Sequence, residues 1–551
     1  MTGLSVTPSD AGLAEFAQAL RELTTRAAAE DVARRLAVKD PTLWGPEAEP
    51  EASVRLGWLD LPETSRDLLP RLHDLRHELL SEGIHHVVLA GMGGSSLAPE
   101  VIARTAGVEV TVLDTTDPQQ VKAAIDDRLE HSVVVISSKS GGTVETDSHR
   151  RAYWAAFTAK GYSDEQTGRH FVAVTDPGSP LEAAAKEAGF REVFLADPNV
   201  GGRYSALSAF GLVPTTLAGV DPAPLLDDAA ALRDTLAAGE HNPALDLGLA
   251  FGAAYLVGRD KLVIADAGSG RASETGLPAP ALPGFGDWAE QLVAESTGKQ
   301  GKGLLPVVVE GASAPGTSGD DVALVLLGDP DDAGAAAARA IAAVSGPLGA
   351  QFLAWEYATA VAGWAMRINP FDQPNVQESK DNTGRILQSG RPDERPAFVD
   401  GGVEVHAPAE LLAGASTLEQ ALRALLASVP ERGYLAVMAY LDRDRDASAA
   451  DTRSGLAATL GKAVTFGWAP RFLHSTGQYH KGGPQVGAFL QITGVPAADL
   501  AVPGRPYTFG LLQAAQAAGD RQALTGRGRP LLHLHLTDRS SGLGQLLEAI
   551  P

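Results

Sequence analysis

Along this chain, short uninterrupted apolar runs alternate with glycine-, serine- or aspartate-bearing turns and helix-like stretches. His86–Ala90 runs into Gly91, Val133–Ile136 into Ser137, Phe171–Val174 into Thr175-Asp176, and Val193–Leu195 into Ala196-Asp197. β-Branched runs without polar alternation imply strands buried on both faces, and the helix-like stretches between them imply crossover connections. That combination predicts an α/β fold built on a doubly wound parallel sheet. The pattern restarts at Lys261–Ala265, continues through Leu305–Val309 and Val322–Leu327, and fades near Leu387, which predicts a second sheet of the same kind. After the turn-rich stretch Gly390–Gly402 come strand-like runs at Tyr434–Tyr440, Ala463–Phe466, Gly487–Ile492 and Leu531–Leu536, with a helix-like stretch at Thr508–Ala518. The alanine tract Ala335–Ala343 reads as helix, because alanine is the strongest helix former. The expected organisation is a helical lead-in over 1–50 and a first α/β domain over 51–217. A helical linker over 218–242, a second α/β domain over 243–389 and a smaller C-terminal α/β domain over 390–551 follow.

Composition narrows the function classes. A chain of 551 residues suits three or four domains of about 150 residues each. With 45 Lys+Arg against 68 Asp+Glu the formal charge is −23, which argues against a nucleic-acid binder and against a protein held by basic residues on anionic lipid. No run of about 18 apolar residues exists, so no membrane span is expected. The opening Met1-Thr2-Gly3-Leu4-Ser5 has no signal-peptide character. Cysteine is absent, which excludes disulfides and thiolate metal sites and suits a cytoplasmic location.

Two loops carry the first chemical signal. Gly91-Met92-Gly93-Gly94-Ser95-Ser96 follows a strand and opens a helix, a place where free N–H groups favour an anion. It also resembles a dinucleotide fingerprint, with Asp114 at the end of the next strand as a ribose-binding acid, although Ser96 stands where the third glycine belongs. The second loop, Ser137-Ser138-Lys139-Ser140-Gly141-Gly142-Thr143, again follows a strand and adds a lysine and several hydroxyls. Ser/Thr capping of a helix explains one such hydroxyl but not the set. Two such loops on one sheet edge suit a shared phosphate.

Further along, Gly201-Gly202-Arg203-Tyr204-Ser205 places a guanidinium beside two glycines. In Gln291-Leu292-Val293-Ala294-Glu295-Ser296-Thr297-Gly298-Lys299, Gln291 and Glu295 share a helix face. An isolated helical Glu is ordinarily solvated. The surrounding Glu-Ser-x-Gly-Lys pattern singles this one out. Ile368-Asn369-Pro370-Phe371-Asp372-Gln373 leads to Lys380, and His474-Ser475-Thr476-Gly477-Gln478-Tyr479-His480-Lys481 holds two histidines.

Taken together these motifs resemble sugar-isomerase (SIS) domains, and more closely the glucose-6-phosphate isomerase family. The actinobacterial form, similar to the isomerase half of transaldolase–phosphoglucose isomerase fusions, is the nearest likeness, and it covers roughly Asp40 to the C-terminus. The resemblance implies two SIS domains plus a smaller C-terminal domain, and reversible interconversion of glucose 6-phosphate and fructose 6-phosphate through a cis-enediol. It implies sugar-phosphate binding by Gly94, Ser95, Ser138, Lys139, Ser140 and Thr143, with Gln291 positioning a hydroxyl. Glu295 would be the proton-transfer base, and Arg203 would stabilise the enediolate. Lys380 or Lys481 would assist ring opening with a histidine. In short family members that histidine segment precedes the Phe-Asp-Gln motif, whereas here it follows it, so His474 and His480 both stay candidates. Neither a metal nor any other cofactor is expected. A homodimer with an active site shared between subunits is implied, with a small sugar phosphate as partner. The competing readings are a dual glucose/mannose-6-phosphate isomerase and a non-catalytic SIS-domain binding protein.

Overall fold

The structure is a computed structural model that describes residues 3–9, 11–268, 282–374, 382–387 and 395–551. The strands, in chain order, are β1 (Ser5–Pro8), β2 (His86–Gly91), β3 (Thr111–Leu113), β4 (Ser132–Ser137), β5 (Phe171–Thr175) and β6 (Glu192–Leu195). They continue with β7 (Lys261–Asp266), β8 (Leu305–Val309), β9 (Val322–Leu327), β10 (Ala340–Ser345), β11 (Phe398–Asp400) and β12 (Val403–His406). The last four are β13 (Tyr434–Tyr440), β14 (Val464–Trp468), β15 (Gly487–Gly494) and β16 (Leu531–Leu536).

Among the described residues they form three sheets, ordered β3-β2-β4-β5-β6, β1-β10-β9-β7-β8 and β11-β12-β16-β15-β13-β14. The first is parallel throughout. The second is parallel except for its edge, where β1 runs antiparallel to β10. The third has a parallel centre and an antiparallel side made by β11 and β12. Strands β2, β4 and β13 are buried at every position, as their unbroken apolar runs require of strands covered on both faces.

Two expectations need correction. The residues before Pro50 are not wholly a helical lead-in, because β1 completes the edge of the second sheet. The alanine tract is not a helix. Pro330–Arg339 runs as 3₁₀ turns broken at Gly334 (φ 54, ψ −128), and Ala340–Ser345 is the strand β10. Between β1 and β9 the tract gains ladder hydrogen bonds and burial on both faces, which override alanine's helix preference.

The three sheet units are packed together rather than strung out. One apolar cluster joins Val263, Leu305 and Leu324 of the second sheet to Ala436, Met438 and Phe489 of the third. Val502 and Phe509, from the C-terminal region, sit in the core formed by Val88, Ile136 and Tyr153 of the first unit. The helix Phe285–Thr297 lies at the centre and is buried all round, exposing only Asp287 among its residues. This packing brings the edge of the first sheet, the central helix and the segment after β14 to one place.

Candidate active site

A cavity of about 460 Å³ opens where these pieces meet. Its floor is the C-terminal edge of the first sheet. After β2 the chain turns through Gly93–Ser95 into the helix Leu97–Ala106. Gly93 adopts φ +58, a conformation that favours glycine. A Cβ on Gly94 would stand 2.0 Å from the carbonyl oxygen of Gly202, so only glycine lets the first loop and the Arg203 loop touch through their backbones. Ser95 lines the cavity. Ser96 Oγ turns back to donate to Gly93 O at 3.1 Å instead of capping the helix.

After β4, Ser138 and Thr143 join their hydroxyls at 2.9 Å, and Gly141 N–H donates to Ser138 Oγ at 3.1 Å. Thr143 therefore does not spend its hydroxyl on capping the helix Val144–Ala159. Lys139 Nζ lies 2.6 Å from Asp176 Oδ2, so part of its charge is already matched at the rim. Ser138, Lys139, Ser140 and Thr143 all line the cavity together with Gly94 and Ser95. The two loops sit side by side because β2 and β4 are direct parallel neighbours.

The opposite wall is ionic and buried. Arg203, 1% exposed, spreads its guanidinium over four acceptors: Ser296 Oγ at 2.7 Å, Glu295 Oε2 at 3.3 Å, Pro370 O at 2.6 Å and Asp372 O at 3.1 Å. Glu295 also accepts from Gln291 Nε2 at 3.2 Å and from Gln373 Nε2 at 3.0 Å. Burial pushes the Glu295 carboxyl above the usual carboxylate range, while Arg203 and Gln291 hold it back. A buried carboxylate with a raised pKa and a fixed cation beside it is suited to proton transfer near neutral pH.

The segment after β14 closes the cavity. His474 lines it, with Nε2 2.9 Å from Glu145 Oε1. Its backbone carbonyl accepts from Gln291 Nε2 at 2.7 Å. His480 is placed elsewhere. It is buried against Phe489 with Nδ1 2.9 Å from Tyr434 Oη, outside the cavity, and burial pulls its pKa down to about 3. Lys481 is also turned away, into a buried pair with Asp520 at 3.0 Å. Lys380 lies outside the described residues.

Three participants received no role from the sequence, although Gln373 and Lys299 stand within the quoted motifs. Glu145 is buried and receives Gln516 Nε2 at 2.6 Å as well as His474. Its only local signal is its position two residues after Thr143, where an acid in the first turn of a helix has an ordinary dipole explanation. Gln373 bonds the candidate base directly. Lys299 is buried below the cavity wall and donates to Asp372 Oδ1 at 2.5 Å and Asp372 O at 2.8 Å. Burial, with Arg203 nearby, lowers it to about 8. Asp114, the acid of the dinucleotide-like reading, is buried and faced by Arg471 at 3.5 Å and Arg443 at 3.8 Å.

Residues 78–251, which hold both hydroxyl-rich loops and Arg203, match the family model for phosphoglucose isomerase. This segment is similar to phosphoglucose isomerase. The chain is 32% identical over 271 residues to a glucose-6-phosphate isomerase of Synechococcus sp. (strain JA-2-3B'a(2-13)), an alignment covering 47% of this chain and 48% of that protein. It is 34% identical over 194 residues to a glucose-6-phosphate isomerase of Thermus thermophilus, covering 34% and 44% respectively. The chain thus spans about half the length of the curated relatives it matches. Among solved structures, a hypothetical protein from Thermus thermophilus superposes with a TM-score of 0.56 at 25% identity, over 70% of this chain and 99% of that one. A glucose-6-phosphate isomerase from Chlamydia trachomatis superposes with a TM-score of 0.50 at 19% identity, over 71% and 89%, a likeness of fold. The matched segment holds the two loops and Arg203, while Glu295 and His474 lie beyond it.

Proposed function

We propose that the protein interconverts glucose 6-phosphate and fructose 6-phosphate. The observation that carries this reading is a buried carboxylate, Glu295, hydrogen-bonded by Arg203 in the same cavity as two hydroxyl-rich helix-opening loops. The loops supply backbone N–H groups and the hydroxyls of Ser95, Ser138, Ser140 and Thr143 to a phosphate dianion. That dianion is held locally, so the net charge of −23 describes solubility and long-range field rather than the site.

His474, backed by Glu145, moves a proton between the ring oxygen and the C1 hydroxyl, opening the ring. Glu295 then removes the proton from C2. The C–H electron pair forms the C1–C2 double bond, and O1 takes up a proton to give the cis-enediol. Arg203 stabilises the negative charge on the oxygens during this step. Returning the proton to C1 while O2 loses its own leaves the ketose. By resemblance, Lys380 assists at the ring oxygen. Gln291 and Gln373 fix the carboxylate from both sides and hold it aimed.

A sugar-phosphate sensor needs the loops but not a desolvated Glu295 against Arg203, so the catalytic reading is preferred. The decisive assay couples fructose 6-phosphate turnover to detection of glucose 6-phosphate. Absence of turnover with retained phosphate binding would leave only the binding function. Mannose 6-phosphate run in parallel separates a glucose-only enzyme from a dual one, since discrimination rests on contacts at one stereocentre. We infer a cytoplasmic location from the cysteine-free sequence. Among the described residues no helix is long and apolar enough to cross a membrane.

A further inference from the structure

We propose that the C-terminal domain completes the active site from within its own chain, so that the catalytic unit is one polypeptide and not a pair. This rests on the isomerase reading of the cavity and concerns where its histidine comes from. The resemblance implied a site shared between subunits. The geometry points to a different source.

His474 is held from three directions by one chain. The first domain supplies Glu145, 2.9 Å from the imidazole. The central helix of the second domain supplies Gln291, whose amide donates to the His474 carbonyl at 2.7 Å. Gly93, in the first loop, lies so close that a Cβ there would stand 2.7 Å from that same carbonyl oxygen.

Three residues upstream, Arg471 is buried in an ion cluster that joins all three domains. It reaches Glu100 of the first domain at 3.2 Å and Asp287 of the second at 3.1 Å, with Asp114 at 3.5 Å. Arg443, also from the C-terminal domain, reaches Glu100 at 3.2 Å. With the domains closed on one another, each charge in this cluster depends on its partners, since removing one would leave a desolvated charge uncompensated. Apolar packing between the second and third sheets, and of Phe509 in the first domain's core, adds area that non-polar burial favours. The C-terminal domain therefore delivers His474 to the cavity of its own chain. A homodimer of such chains carries two sites, each complete in itself.

Two measurements test this. Glu295→Gln and His474→Ala chains, each inactive alone, are co-expressed with different tags and mixed assemblies purified. A site within one chain predicts no activity above the sum of the two variants, and a fully active wild type that sediments as a monomer has the same meaning. Recovery to about a quarter of wild type, expected when half of randomly paired dimers are hybrid with one intact site each, overturns the proposal. So does full activity of His474→Ala.

The second measurement does not depend on turnover. Because the chain has no cysteine, Gly316→Cys with Ala457→Cys gives one possible crosslink between second and third domains. A Cβ at Gly316 lies 3.7 Å from that of Ala457, within disulfide reach. Oxidation is expected to give a species of single-chain mass that migrates faster than its reduced form on a denaturing gel and has lost both free thiols, and a single-chain species that keeps both thiols overturns the proposal. A species of doubled mass overturns the proposal even if the isomerase reading stands. A single-chain crosslink in a protein without turnover would instead sink the isomerase reading alone.

Discussion

His474 Nε2 lies 2.9 Å from Glu145 Oε1, and Gln516 Nε2 donates to the same carboxylate oxygen at 2.6 Å. A buried carboxylate that receives both a side-chain amide and the imidazole sets the ring's orientation and fixes which ring nitrogen faces it. Glu145 is thus to the histidine what Gln291 and Gln373 are to Glu295: a fixed support that spares the reacting group from reorganising during the step.

Replacing Glu145 by Gln keeps the volume but removes the charge. Turnover of fructose 6-phosphate is expected to fall about 100-fold, the lower end of what general acid–base assistance contributes. KM should stay within about threefold, because Glu145 supports the proton transfer and not phosphate binding. A steady-state comparison of kcat and KM decides it, and an unchanged kcat removes Glu145 from the mechanism.

Glu295→Gln tests both chemistry and linkage. Isomerisation is expected to disappear while inorganic phosphate still binds. In wild type, the active carboxylate form is lost as pH falls through a pKa above the ordinary value of about 4.3, so the acid limb of kcat/KM lies higher than a solvated Glu would give. The raised pKa also means that the folded chain binds more protons than the unfolded chain across that window. Wild-type stability therefore declines there as pH rises, and the melting temperature of Glu295→Gln gains on wild type over the same interval. A constant difference between the two melting curves at all pH values would argue that Glu295 is not desolvated.

Strand positions were legible because their cause is local. β8, β9, β13 and β16 fall on the apolar runs Leu305–Val309, Val322–Leu327, Tyr434–Tyr440 and Leu531–Leu536, each bounded by its own turn residues. Ala340–Ser345 was not legible, because its strand state comes from β1 and β9, which arrive from distant parts of the chain. The same division runs through the site. The two hydroxyl loops announce themselves within a few consecutive residues each. Glu145 does not, since its burial depends on Gln516 and His474, both more than 300 positions away. The sequence left His474 and His480 equivalent. Six residues apart, one lines the cavity and bonds Glu145 behind it, and the other stacks on Tyr434 in the core.

Gly94→Ala tests the contact between the two loops. The added Cβ meets the Gly202 carbonyl at 2.0 Å, backbone against side chain, with no flexible group to give way. The loops must part, at a cost of about 1–3 kcal/mol in stability as for other overpacked sites. Separation also moves Ser95 away from the Ser138–Thr143 loop, so inorganic phosphate affinity is expected to drop about tenfold or more. Thermal melting and a phosphate titration measure the two effects. A variant with normal melting and normal phosphate binding would show that the loops are not in backbone contact.

Lys299→Met probes the wall beneath Arg203. Lys299 holds Asp372, whose carbonyl in turn accepts from Arg203 and whose neighbour Gln373 donates to Glu295. Removing the ammonium is expected to lower kcat by loosening this chain of contacts, with little change in phosphate binding. Its pH signature is specific. Burial lowers Lys299 to about 8, whereas an unfolded lysine titrates near 10.4. Between those values the unfolded chain binds more protons than the folded chain, so wild-type stability rises with pH relative to Lys299→Met. Below about pH 8 both states hold the proton and the difference is flat. Denaturant midpoints of the two proteins measured from about pH 7 to about pH 10 give this difference directly. A flat line across the whole range would mean that Lys299 keeps its proton, and with it the Asp372 pair, throughout.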